Sequence, residues 1–337
     1  MFKLFQSIFG TTAEAHGKYS EELIERATER AVDATDARMR AVSGYRKSLR
    51  PAIIHALDHV VAIVDGLAPP LALNRSTFGA NAEVSDFFAS VEDMNGILAR
   101  DAEMRQWQQS TAGALADRVV ALLLMTMNER NVLGVALEGD QLRHDVAQVT
   151  VSFGKHRLAD PTADEQETRR MLMRRAGDHL LSLALGRIAE FQGERRELQR
   201  ERDLLRLKVK ALAGGHWGFD SGGDDGAAAT DPEAVQQRLA EIDRQLAALG
   251  SGQLQAHLDI LIDTLTRAEE HFCSDRATLC IDRQGIKQSQ PGPMAPEIGL
   301  TVLRNAVGQS LVVRLVSIER GDLPPPPDLL REGQRFL

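Results

Sequence analysis

Cysteine is scarce in this chain: 337 residues hold only Cys273 and Cys280. Their spacing makes neither a CxxC motif nor a disulfide framework, so a reducing compartment, the cytoplasm, is expected. Aromatic residues make up 4% of the sequence. Such a chain builds its core from Leu, Ala, Val and Ile, the material of packed helices rather than of β-sandwiches. No apolar run reaches the ~20 residues that a membrane-spanning helix needs. The segment Met1–Phe9 imitates an export signal only superficially, because its apolar stretch is short and broken by Gln6.

Catalytic signatures are equally sparse. There is no GxxxxGK[ST] phosphate loop, no GxGxxG following a strand and no GxSxG elbow. His55 and His59 stand at the spacing of a metalloprotease helix, but position 56 is Ala56 where the general base belongs. No cofactor is expected.

What is present is ordinary globular material, 43% hydrophobic and 26% charged, enough for a sizeable core. A net charge of −8 argues against nucleic acid as a partner of the whole chain. The charge is uneven, however. Arg169 to Lys210 carries twelve Lys/Arg and six Asp/Glu, a net of +6 that leaves −14 elsewhere. Such a segment is suited to an acidic partner, although a solvated helix surface is the simpler account.

Hydrophobic spacing divides the chain. Residues 1–18 are expected to form a short amphipathic helix and linker, with Phe2, Phe5 and Phe9 on one face for membrane or partner docking. Packing of that helix on its own domain is favoured over a membrane surface, since one Lys attracts an anionic bilayer weakly. Residues 19–130 read as a helical bundle. Its helices start at Ser20, run over Ser48–Val64 up to Pro69-Pro70, and follow at Glu83–Ala89, Val91–Gln108 and Ala112–Glu129. Residues 131–160 read as a β-hairpin of Val132–Leu137 and Val146–Phe153.

The clearest pattern spans 161–273. A proline-free helix is expected from near Asp164 to Leu212, with Ile188, Phe191, Arg195, Leu198, Arg202, Leu205, Val209 and Leu212 in three- and four-residue steps. Gly214 to Thr230 interrupts it with six glycines. Asp231-Pro232 restarts a helix on an N-cap and a first-turn proline, and Val235, Leu239, Ile242, Leu246 and Leu249 keep a 4-3-4-3 rhythm. Two such helices should fold back as an antiparallel coiled-coil hairpin. Residues 274–337 are expected to be β-rich, with strands at Ala277–Ile281, Leu300–Leu303 and Leu311–Ile318 and a Pro-rich tail. The fold class is therefore mainly α within α+β: a helical body, a long hairpin and a small antiparallel sheet from residues near 132–153 and 277–318.

Two groups of residues carry candidate function. At the hairpin tip, Trp217 and Phe219 in a glycine-rich run suit a partner pocket, with Arg195, Arg196 and Arg200 supplying a basic face. Their plain reading is a folded-back plug and a solvated helix. On the Ser48–Val64 helix, His55, Asp58 and His59 could share a metal ion. Histidines bonded inside a bundle are the favoured account, and the wider His/Asp pattern of HD-type phosphohydrolases is missing. A non-enzymatic scaffold binding a protein partner, or itself as a homo-oligomer, is the leading expectation. A metal-dependent hydrolase and a peripheral membrane protein are the alternatives.

Overall fold

A computed structural model describes residues 18–138, 141–213, 232–249 and 252–324. The chain is mixed, 58% helical and 26% strand, with one sheet that is antiparallel apart from a two-residue strand. It separates into two compact units. Of the described residues, the first takes Leu57–Asp178 and those from Ala268 onward, the second residues 18–56 and His179–Arg267.

The first unit is built on the sheet. Its strands are β1 (Leu71–Ala72), β2 (Arg118–Glu138), β3 (Gln141–Thr162), β4 (Phe272–Cys280), β5 (Glu297–Asn305) and β6 (Ser310–Glu319). They lie in the order β3-β2-β6-β5-β4, with β1 parallel to β6. The early hairpin and the late strands thus share one sheet, as the hydrophobic pattern requires.

That sheet begins earlier than expected. Residues 118–129, assigned above to a helix, form the first half of β2. Val119, Val120, Ala121, Leu122, Leu123 and Met125 are all buried, so this strand is covered on both faces. A strand covered on both faces has no alternation, and its apolar run is indistinguishable by periodicity from a buried helix. Of the expected helix only Thr111–Leu115 exists.

Short helices cover one face of the sheet: α3 (Arg75–Ala80), α4 (Ala82–Phe87), α5 (Val91–Arg100), α6 (Ala102–Gln109) and α7 (Thr111–Leu115). They follow α1 (Glu21–Thr35) and α2 (Tyr45–Asp65). Each is opened by a side-chain cap, from Asn74, Asn81, Ser90, Asp101 and Ser110 in turn. Asp101 explains why the expected helix over 91–108 is two. Its backbone is extended, one carboxylate oxygen accepts from Met104 N at 2.9 Å, and the other accepts from Leu158 N at 3.0 Å. Phe87, Phe88, Met94, Leu98 and Met104 from these helices meet Val119, Ala121, Leu123, Leu158 and Val316 in the core.

Three bulges interrupt the β2–β3 ladder, and each leaves a non-glycine residue of β3 at positive φ: Asp145, Lys155 and Asp160. Asp160 is the most tied. Its carboxylate receives Arg175 Nε at 2.8 Å, while its own N–H donates to Glu103 at 2.9 Å. At the turn after β4, Gly285 has φ +79°, and a Cβ there would stand 3.1 Å from the Val151 carbonyl oxygen. The Gly285 carbonyl receives Val151 N at 2.8 Å, so the turn needs glycine both for its backbone and for that approach.

The other face of β2 meets the start of α8 (Glu165–Ala213), where the Thr168 hydroxyl donates to the Val120 carbonyl at 3.0 Å. One residue on, Arg169 is buried and donates to the carbonyls of Val64 and Leu67, closing the C-terminal end of α2.

The second unit contains α1, the distal part of α8, α9 (Pro232–Ala248) and α10 (Gln253–Thr266). Arg187 donates to Thr264 at 2.7 Å and Gln192 contacts His257 at 3.3 Å, so α10 runs antiparallel to that stretch of α8. Leu258, Leu261 and Leu265, the expected apolar stripe, are buried. Arg238 of α9 pairs with Glu201 of α8 at 2.8 Å, and Arg206 of α8 with Asp243 of α9 at 3.6 Å. Among the described residues no helix is long and apolar enough to cross a membrane.

Candidate interaction surface

Several residues singled out above, Trp217, Phe219, Phe2, Phe5 and Phe9, lie outside the described residues. Arg195, Arg196 and Arg200 all lie on α8 but in different settings. Arg195 stands in the row of expected heptad positions, and its Nη1 is buried with no hydrogen-bond partner. Arg196 donates to Gln192 Oε1 at 3.2 Å, and Arg200 is exposed.

The bond from Arg196 is the outer end of a polar chain that the sequence did not reveal. Because Gln192 Oε1 accepts from Arg196, its amide N–H₂ faces His257 Nε2. His257 then donates from Nδ1 to Asp36 Oδ2 at 2.7 Å, and Asp36 also receives Arg38 Nη2 at 2.9 Å. The bond from Arg38 and that from His257 hold the Asp36 carboxyl down at about 2, against burial, which works the other way. A His–Asp pair is the core of many acid–base sites. Here Nε2, the nitrogen that would serve a nucleophile, is covered by Gln192, and the imidazole is 0% exposed. The pair is therefore a structural tie, with Phe191 edge-on to the ring at 6.0 Å. No motif spacing announces it, since Asp36 and His257 are 221 positions apart.

His59 points Nε2 at the Phe272 carbonyl. A carbonyl only accepts, so that nitrogen carries a proton and offers no lone pair to a metal. Among the described residues no group of three or more His, Cys, Asp or Glu is placed to hold a metal ion.

The first unit also has an open cleft of about 470 Å³ between α5 and β3. Glu92, Asp93 and Arg100 line it from α5, and His156 and Arg157 from β3. His156 stacks on Phe88 at 5.1 Å and directs Nε2 to the Phe87 carbonyl at 2.7 Å, while burial pushes its pKa below the usual value. Its ring is thereby committed to the fold, and the cleft's other charged groups are the exposed Glu92, Asp93, Arg100 and Arg157 and the part-buried Asp101, already the cap of α6.

Near this unit's edge, Asp86 is half-buried, with Oδ2 unpartnered, and burial together with the Asp282 charge raises its pKa to about 6. A raised folded-state value makes its contribution most favourable below the unfolded value, and that contribution is lost as pH rises through about 6. Replacing Asp86 with Asn should stabilise the protein at pH 8 by about 1 kcal/mol, discounted for solvent screening, with no gain at pH 4. Urea unfolding at both pH values measures this. An equal effect at both would contradict it.

A further exposed surface is the outer face of α8. At 100° per residue, Ser182, Leu185, Ala189, Gly193, Arg196, Arg200, Leu204 and Leu207 fall within a sector of about 100°. It lies opposite the seam of Ile188, Leu198, Leu205 and Val209. Leu204 is 66% exposed and Leu207 65%. A solvated helix face does not ordinarily carry two large leucines one turn apart, together with Ala189 and Gly193 at two further turns. No protein-family model, no curated protein and no solved structure matches this chain.

Proposed function

We propose that the protein is a non-enzymatic, cytoplasmic interaction protein that presents the distal part of α8 to a protein partner. The observation that carries this reading is the exposure of Leu204 and Leu207 opposite the helix's own seam, beside Arg196, Arg200 and Lys208. Exposed aliphatic anchors within a charged rim are the composition of a docking surface rather than of a solvated helix.

In this reading α8 and α9 form an antiparallel coiled-coil arm. Support comes from burial along α9: Val235 and Ile242 are buried and Leu239, Leu246 and Leu249 half-buried, at the heptad positions. Val209, Leu205 and Leu198 of α8 are half-buried in the same rhythm. The ion pairs Arg238–Glu201 and Arg206–Asp243 flank that seam.

The test is a paired capture experiment on the full chain from its native cell, wild type against Leu204→Glu/Leu207→Glu. The variant should keep its helical circular dichroism, because both side chains already face solvent, and should lose at least about 90% of each specific partner, equivalent to more than ~1.4 kcal/mol. Partners retained at wild-type level would remove α8 as the docking element.

A further inference from the structure

The outer face of α8 has two unlike halves. From Ser182 to Gly193 its residues are small apart from exposed Leu185, and Gly186 and Gly193 have nothing within 4 Å of where a Cβ would stand. From Arg196 to Leu207 they are large, ending in the two exposed leucines. A surface that pairs with itself about a two-fold axis must carry on one half what its other half needs. We propose that this face binds a second copy of the chain, antiparallel, about a two-fold axis between Arg196 and Glu197. The inference rests on the interaction reading above and names its partner.

The register follows from that axis by counting outward. Leu207 of one copy lies over Gly186 of the other, Leu204 over Ala189, and Arg200 over Gly193. Each large side chain faces a position whose side chain is small or missing, which allows helix axes to approach at the short end of the usual 8–10 Å. Charge agrees with shape. On either side of Gly193, one turn away, stand Glu190 and Glu197, so the Arg200 guanidinium arriving from the other copy meets a carboxylate in both directions. An unrelated acidic partner would use the arginines but has no need of the glycines. The contact spans Gly186 to Leu207, 22 residues or about six turns of helix.

Sedimentation equilibrium of the full chain tests this. Wild type should be a dimer at micromolar concentration. Gly186→Leu/Gly193→Leu should weaken dimerisation at least about tenfold while leaving each monomer as helical or more so, because both sites are open and glycine is a poor helix former. Arg200→Glu should weaken it similarly, and Arg200→Glu with Glu190→Arg and Glu197→Arg should restore it. A chain that stays monomeric to about 100 μM, or a dimer indifferent to the glycine replacements, overturns the inference. A monomer whose partners in the capture experiment still depend on Leu204 and Leu207 overturns the second copy alone. A monomer whose partners do not depend on them overturns both readings.

Discussion

Replacing Arg169 with methionine should destabilise the first unit by about 3 kcal/mol, more than an ordinary surface substitution costs. The guanidinium is buried and bridges three groups: the carbonyls of Val64 and Leu67 and the carboxylate of Glu165. Methionine fills the volume of the stem but donates nothing. Two carbonyls at the end of α2 are then left dry and unpaired, each at a cost of roughly 1–3 kcal/mol. Glu165 is partly exposed and can turn to water, so its loss adds little. Lysine at 169 should recover less than half, because a single ammonium cannot span the two carbonyls and the acid in one plane. Denaturant unfolding gives the number, and amide exchange at Gly66 and Leu67 gives the place. A loss below about 1 kcal/mol for the methionine variant would mean that the carbonyls find water in its absence.

The second large effect should come from His257. Its replacement by alanine removes a fully buried ring, the bond to Asp36 and the edge contact with Phe191, for an expected cost of about 3 kcal/mol. The pH dependence is a sharper test than the size. Asp36 has its folded-state value lowered to about 2 from 3.8. The stability it contributes is therefore full above about pH 4 and is lost as pH falls through 2. Asp36→Asn should abolish that part of the acid slope, worth about 2 kcal/mol. His257→Ala should reduce it only in part, because Arg38 remains on the carboxylate. Thermal unfolding of the three proteins at pH 6, 4 and 2.5 would settle it. An unchanged acid slope in Asp36→Asn would place the acid sensitivity elsewhere.

These two ties mark where the sequence stopped being readable. The long helix from Glu165 and the restart at Pro232 were legible because periodicity and capping are local. The late strands and their union with the early hairpin were legible because three short strands cannot stand alone. What failed was Val119–Leu124, whose apolar run carries no period once both faces are covered. What was never visible were pairs such as Asp36–His257 and Asp160–Arg175, whose members are distant in sequence and belong to no motif. The outer face of α8 was partly legible. Arg196 and Arg200 stood out as a basic run, but the seam drew attention to the opposite side, and Leu204 and Leu207 are informative only once known to be uncovered.

One habit of this fold has a chemical consequence. Arg169, Arg276, Arg314 and Arg320 all donate to main-chain carbonyls, of Leu67, Gly66, Pro69 and Ala116 among others. The chain has 33 arginines and only seven lysines, which together make the 40 basic residues. Guanidinium groups do not titrate in any ordinary alkaline buffer and do not react with acylating reagents that consume amines. The clamps that close these loops should thus survive exhaustive acetylation and high pH. Reagents selective for guanidines, such as dicarbonyls, should open them one at a time, the most exposed first.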